Sequence, residues 1–263
     1  MRYYSKIVTP FSTPLFDFEM LKGRSREPVD KRRLAIVLHG KGDSLEAFQS
    51  IPEELGLFDF DFLILNAPMK FGDGFKWMND EPRHLRSLEI VRDLLLSLVE
   101  EIKDFGYQTQ NVLWLGHSQG GRVASDLVMH SPDSFLGLVA VSSYVGFFDG
   151  WADGAEEANA AGAWKTPWLI THGTEDRIIR LREIRNDVRE LTRGKIPVTY
   201  REFAKGHDFD YEREVPYIRD WIRRQAPVVR GLRVLNAPAN SITSLAKTPT
   251  PRRETDERKT PEA

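Results

Sequence analysis

No cysteine occurs among the 263 residues, which removes disulfides, thiolate metal sites and a cysteine nucleophile from consideration. Excess charge of either sign is also missing. The 37 Lys and Arg face 39 Asp and Glu, a formal net charge of -2, so nothing draws the whole chain to nucleic acid or an acidic membrane. No segment approaches the roughly 20 consecutive apolar residues of a membrane span. The N-terminal M-R-Y-Y-S-K-I-V-T-P-F-S-T-P interrupts its apolar residues with Ser, Lys, Thr and Pro, so no signal-peptide core can be drawn there. These absences predict a cytoplasmic protein with no nucleic-acid partner and no membrane span. The remaining composition, 41% hydrophobic and 29% charged, is ordinary for a globular chain. The length suits one large α/β domain over residues 1–227. Residues 228–263 form an extension, Pro- and charge-rich and expected to be disordered from about 237.

Along the chain, short apolar runs alternate with helical periodicity. Weak alternation through Phe16, Phe18 and Met20 predicts one or two antiparallel edge strands. Apolar runs at 34–38, 62–65, 112–115, 136–142 and 167–171 predict strands, most of them buried on both faces, and 198–203 reads as a further strand. Ser44 is placed to cap a helix running to about Leu55, and residues 69–82 have no clean period and read as a loop. Apolar residues at three and four spacing make 85–102 a long amphipathic helix. Further helices follow residue 121, over about 181–191 and over about 212–224, with 144–164 a long loop or partial lid. Such alternation means a mostly parallel central sheet with helices on both faces and antiparallel N-terminal edge strands. The Lys and Arg runs, Lys31-Arg32-Arg33 among them, read as solvated faces.

In a sheet of this kind the chemistry lies outside the carboxyl ends of the strands. Four strand ends carry reactive residue types: His39-Gly40-Lys41, Ser118, Asp176 and His207. The stretch N-V-L-W-L-G-H-S-Q-G-G, residues 111–121, has the G-x-S-x-G pattern between an apolar strand and a helical segment, the context of a nucleophile elbow. A serine hydroxyl needs a base within hydrogen-bond reach and a group that orients that base. Ser118, Asp176 and His207 occur in the α/β-hydrolase order of nucleophile, acid and histidine, with Asp153 and Asp208 as the other candidates for the acid. The backbone N–H of Gln119 and that of Lys41, in the flexible Gly40-Lys41-Gly42 turn, are candidates for the oxyanion hole. The other five histidines, at 39, 84, 117, 130 and 172, have no zinc-ligand spacing and read as structural or surface residues. Two aromatic-rich loops flank the site in chain order. Phe71, Phe75 and Trp77 in one, with Tyr144 and Phe147 in the other, form either an acyl-binding wall or ordinary cover.

The motifs L-H-G-K-G-D-S, N-A-P, G-H-S-Q-G-G, H-G-T-E-D and K-G-H resemble the phospholipase/carboxylesterase family of α/β hydrolases, which includes acyl-protein thioesterases and bacterial carboxylesterases. The resemblance covers about residues 33–225. It implies the α/β-hydrolase fold, a Ser118, Asp176 and His207 triad, an oxyanion hole from Lys41 and Gln119, and hydrolysis of a small-molecule ester or thioester without cofactor or metal. The chain departs from the family pattern at His117, where an aromatic or other residue is usual, and at Arg177 and Arg180, where prolines are common. It departs again at Trp77-Met78-Asn79, where a Trp-aromatic-Asp run is typical. The rival readings are a peptidase or acyltransferase on the same fold, and a hydrolase-like scaffold that binds without catalysis. Oligomeric state is left open by the sequence.

Overall fold

The computed structural model of the chain describes residues 4–6, 11–146 and 161–226. The expected C-terminal extension, Phe147 and Asp153 lie outside these residues.

Ten strands are present among the described residues: β1 (Ser5–Lys6), β2 (Phe18–Lys22), β3 (Arg33–Leu38), β4 (Phe60–Leu65), β5 (Met69–Phe71), β6 (Gly74–Lys76), β7 (Val112–His117), β8 (Gly137–Val141), β9 (Trp168–Gly173) and β10 (Val198–Phe203). Eight form one sheet in the order β1-β2-β4-β3-β7-β8-β9-β10. From β4 to β10 all neighbours are parallel, while β2 runs antiparallel to β4 and β1 antiparallel to β2. The mostly parallel sheet with an antiparallel N-terminal edge is therefore as the sequence predicts.

Alternation along the central strands explains why their sequences are apolar throughout. On β3, Leu34, Ile36 and Leu38 enter one core layer while Ala35 and Val37 enter the other. The first layer is covered by helix α2 (His84–Phe105), helix α3 (Gln119–His130) and helix α5 (Leu181–Arg193), which supply residues such as Leu95, Leu127 and Ile184. The second is covered by α1 (Ile51–Leu55) and α6 (Glu214–Gln225), through Leu55, Ile218 and Trp221. Both faces of a central strand are thus dry, and each fully buried Leu or Ile contributes about 1.5–3 kcal/mol relative to exposure.

Four local expectations are corrected. The single helix from Ser44 to Leu55 is instead a 3-10 turn, Leu45–Phe48, followed by the short α1, and the Ser44 side chain does not cap it. Pro52 is the cause: its ring would clash with the carbonyl of residue 48 in a continuous helix, but is tolerated in the first turn of a new one. The segment 69–82 contains a hairpin, β5 paired with β6 around Gly72-Asp73, with Gly72 at φ +59. The end of the 144–164 loop is helical, α4 (Ala161–Lys165). Arg32, expected on a solvated face, is buried, its guanidinium bonded to both oxygens of Asp61. The Tyr107 hydroxyl donates to the same carboxylate at 2.6 Å, which neutralises and satisfies the group inside the fold.

Candidate active site

Strand β7 ends at His117 and helix α3 begins at Gln119, leaving Ser118 alone at the junction with φ 52 and ψ -119. A non-glycine residue in this region carries about 1–3 kcal/mol of strain and persists only where its surroundings hold it. Here the Ser118 N–H donates to the Val141 carbonyl of β8 at 2.9 Å, and the Ser118 carbonyl accepts from the Arg122 N–H at 3.1 Å. The flanking glycines are required by close approach. A Cβ on Gly116 would lie 2.4 Å from the Gly121 nitrogen, and one on Gly120 would lie 2.3 Å from the Leu38 oxygen. Both contacts are with backbone, so a side chain at either position would push the turn off the sheet.

Asp176 follows β9 and His207 follows β10, two adjacent parallel strands whose outgoing loops leave the same sheet end. That end also carries Ser118, and the three side chains meet. His207 Nε2 lies 2.9 Å from Ser118 Oγ, and His207 Nδ1 lies 2.8 Å from Asp176 Oδ2. With the carboxylate as acceptor, Nδ1 carries the hydrogen and Nε2 is free to accept from the serine hydroxyl. The other oxygen of Asp176, Oδ1, accepts from the Ile178 and Ile179 N–H groups at 2.8 and 3.0 Å. Burial pushes the Asp176 carboxyl up, but these donors and the His207 ring outweigh it and hold it below its ordinary value. It is an anion with no exposed side-chain surface, satisfied on both oxygens. Asp208 does not reach the His207 ring; its backbone carbonyl accepts from Lys205 instead.

Four of the remaining five histidines, His39, His117, His130 and His172, are held by backbone groups. His39 Nε2 accepts from the Ala67 N–H, and His172 Nε2–H donates to the Ile179 carbonyl. His130, at the end of α3, bonds the Asp126 carbonyl. His84 opens α2 and lines the cleft described below. Burial lowers the pKa of His39 and His172, and brings that of His117 down to about 4. An unfolded histidine titrates near ~6.5, so between these values the unfolded chain binds the proton that the folded His117 refuses. Stability is therefore complete above about pH 6.5 and declines as pH falls toward 4, by about 3 kcal/mol for His117 alone. Urea unfolding at stepped pH should record this decline, and it should be shallower in His117→Gln. An equal slope in the variant would assign the acid sensitivity elsewhere.

The candidate oxyanion residues, Lys41 and Gln119, follow two neighbouring parallel strands, β3 and β7. Lys41 is in the turn after β3, which is fastened to the β5-β6 hairpin by Gly42 N–H to the Phe75 carbonyl at 2.7 Å and Phe75 N–H to the Asp43 carbonyl at 2.9 Å. Gln119 is the first residue of α3, where backbone N–H groups have no partner within the helix. Lys41 and Gln119 both line a cleft of about 680 Å³ that also contains Ser118 and His207. The Lys41 ammonium pairs with Asp80, another residue of the cleft, at 2.6 Å and lies over the Phe71 ring. Met78, Leu85, Ile178 and Ile179 give the cleft its apolar lining. Among the described residues, no group of three or more His, Asp or Glu side chains is placed to hold a metal ion.

Of the expected pocket aromatics among the described residues, Phe71, Phe75, Trp77 and Tyr144, only Tyr144 lines this cleft. Trp77 is fully buried; its indole N–H donates to the His39 carbonyl at 2.8 Å, and its backbone N–H donates to Gln119 Oε1 at 2.7 Å. Phe71 is exposed on the hairpin and Phe75 stacks under the Lys70 ammonium, 3.8 Å from its ring centre. The hairpin turns these rings away, which a loop reading of the segment could not foresee. The side chain of Gln119 has a role the sequence reading missed. Besides accepting from Trp77 it donates to the Met78 carbonyl at 3.1 Å, holding residues 77–78 against the elbow. Leu85 and Ile178 were also missed as cleft residues. Both are exposed, which makes each resemble an ordinary surface apolar residue.

Comparison with known proteins bears on the family and the fold. The profile of the phospholipase/carboxylesterase family matches residues 26–224. The carboxylesterase SOBER1 of Arabidopsis thaliana is 28% identical over 139 residues, 52% of this chain; the match spans 58% of that protein's length. Acyl-protein thioesterase 1 of Emericella nidulans is 28% identical over 177 residues, 58% of this chain and 73% of that protein. The crystal structure of Arabidopsis SOBER1 matches with a TM-score of 0.67 at 23% identity, covering 74% of this chain and 99% of that one. A carboxylesterase structure from Mesorhizobium loti matches with a TM-score of 0.68 at 18% identity, covering 84% and 99%. The structural matches speak for the fold, and the profile extends over most of the chain: it belongs to the phospholipase/carboxylesterase family.

Proposed function

We propose that the protein is a serine hydrolase that cleaves carboxylic esters or thioesters of small or acyl-chain substrates through Ser118, His207 and Asp176. The observation that carries this reading is the hydrogen-bonded chain from Ser118 Oγ through His207 to Asp176, with steps of 2.9 and 2.8 Å, built on a serine held in a strained turn. Ser118 Oγ attacks the acyl carbonyl while His207 Nε2 takes its proton. The imidazolium that forms faces the Asp176 anion, which fixes its orientation and stabilises its charge. The carbonyl oxygen, now negative, is received by the N–H groups of Lys41 and Gln119. Collapse expels the alcohol or thiol, which leaves with the proton from His207. Water, deprotonated by the same base, then releases the acid from the acyl-enzyme. No residue in this cycle requires a cofactor.

The cleft volume of about 680 Å³ is in the range of small-molecule sites, and its apolar lining suits an acyl chain. The relatives, a carboxylesterase and an acyl-protein thioesterase, support ester or thioester cleavage. The test is turnover of p-nitrophenyl esters of graded acyl length, beside an acyl thioester and the matching p-nitroanilides. Esters or thioesters should be hydrolysed and the anilides left intact, with the length series sizing the acyl pocket. Anilide cleavage at comparable rates would favour a peptidase, and no turnover by folded protein would favour a binding scaffold.

A further inference from the structure

The loop carrying His207, residues 204–210, has no regular secondary structure. Nevertheless its ring must stay within hydrogen-bond reach of both Ser118 and Asp176. A histidine side chain has two torsions, so the ring is held no better than the backbone that carries it. Two buried cations or donors outside the triad bear on that backbone.

His117 is the last residue of β7 and the immediate neighbour of Ser118. Its ring is buried, and Nε2 lies 3.0 Å from the His207 carbonyl oxygen. Since a carbonyl only accepts, Nε2 carries the hydrogen and donates it. The ring packs 5.0 Å from the His207 ring and 5.2 Å from that of Phe209. One residue therefore links the turn of the nucleophile to the backbone of the base.

Lys205 belongs to this loop, and its side chain ties the loop to itself and to two neighbouring elements. Its ammonium donates to the Asp208 carbonyl at 2.9 Å, to Ser142 Oγ at 2.8 Å, and pairs with Glu214 Oε2 at 2.8 Å. All three of its hydrogens have a partner, and the Lys205 and Glu214 side chains are almost wholly buried. Ser142 follows β8 with φ 46, a second non-glycine residue in the left-handed region, and Glu214 opens α6. The carbonyls of His207 and Asp208 are successive in the chain, so the two donors grip adjacent peptide units.

We propose that His117 and Lys205 are positioning residues that hold the His207 loop at two successive carbonyls, those of His207 and Asp208, and so keep the His207 ring on the line between Ser118 and Asp176. This rests on reading His207 as the general base. Neither residue needs to touch substrate. Misplacing a catalytic group by about 1 Å can cost about 100-fold in rate, whereas substrate binding in the cleft need not change.

The test compares His117→Leu, which removes the donor, with His117→Gln, whose amide N–H₂ can reach the same carbonyl. Each is assayed for kcat and KM on p-nitrophenyl butyrate and for the rate of fluorophosphonate labelling, which reports serine activation without substrate. His117→Leu should lose about 10- to 100-fold in kcat and in labelling rate with KM nearly unchanged, and His117→Gln should recover most of both. Lys205→Met alone would strand a buried Glu214 charge and is expected to unfold, so the pair Lys205→Met with Glu214→Gln is used. That folded double variant should show the same loss in kcat with KM retained. Wild-type rates in His117→Leu, equal impairment in His117→Gln, or wild-type kcat in the double variant would each overturn the proposal. A wild-type protein that neither labels nor turns over would instead overturn the triad reading, and the clamp with it.

Discussion

Ser118→Ala is expected to lower kcat/KM for ester hydrolysis by about 10⁴- to 10⁶-fold, the loss typical when a triad nucleophile is removed. The substitution deletes the attacking oxygen and the single hydrogen bond to His207, at 2.9 Å, and leaves the elbow's backbone bonds to Val141 and Arg122 intact. Loss of that bond costs only about 1 kcal/mol of stability, so the variant should be as folded as the wild type. Rates on p-nitrophenyl butyrate, with a circular dichroism melt as control, give the comparison. Retention of more than a few per cent of turnover would mean that another nucleophile is at work.

Asp176→Asn should cost about 10⁴-fold in kcat with little loss of stability. The reason is specific to this geometry. Oδ1 of Asp176 accepts two backbone N–H groups, from Ile178 and Ile179, at 2.8 and 3.0 Å. An asparagine would keep its carbonyl oxygen there and so turn its NH₂ toward His207 Nδ1. That nitrogen would then have to accept, moving the ring hydrogen to Nε2, where it faces the Ser118 hydroxyl and can no longer take its proton. The same rate measurement checks this, and a loss below about tenfold would remove Asp176 from the mechanism.

Much of this arrangement is legible in the sequence because the fold concentrates its signal. A strand buried on both faces is apolar along most of its length, so the runs 34–38, 62–65 and 112–115 of β3, β4 and β7 can be read directly, and each ends at an abrupt change to Gly, His or Asn. Since neighbouring strands are parallel, those changes fall at one end of the sheet, and Ser118, Asp176 and His207 are candidates by position before any distance is known. Order along the chain does not reveal short elements closed by local turns. The hairpin around Gly72-Asp73 pairs only three residues on each side, too few to establish an alternation. The break at Pro52 is a steric event inside an otherwise periodic segment. Side-chain direction is also hidden. Trp77 is apolar and near the site in sequence, but its indole N–H finds the His39 carbonyl beneath the elbow rather than facing the cleft. Arg32 looks like one member of a basic run, and only the position of Asp61 on β4 accounts for its burial. His117 and Lys205 were invisible for a similar reason: their partners, the His207 and Asp208 carbonyls, are backbone atoms that no motif encodes.

The central claim is that Ser118 is an activated nucleophile. Intact-protein mass spectrometry after treatment with a fluorophosphonate tests it most directly, because the probe bonds only to a serine whose proton has a base to receive it. One adduct per chain, mapped to Ser118 and absent from Ser118→Ala and from His207→Ala, is the result predicted. A folded protein that takes up no adduct, or one still labelled after Ser118→Ala, would contradict the account.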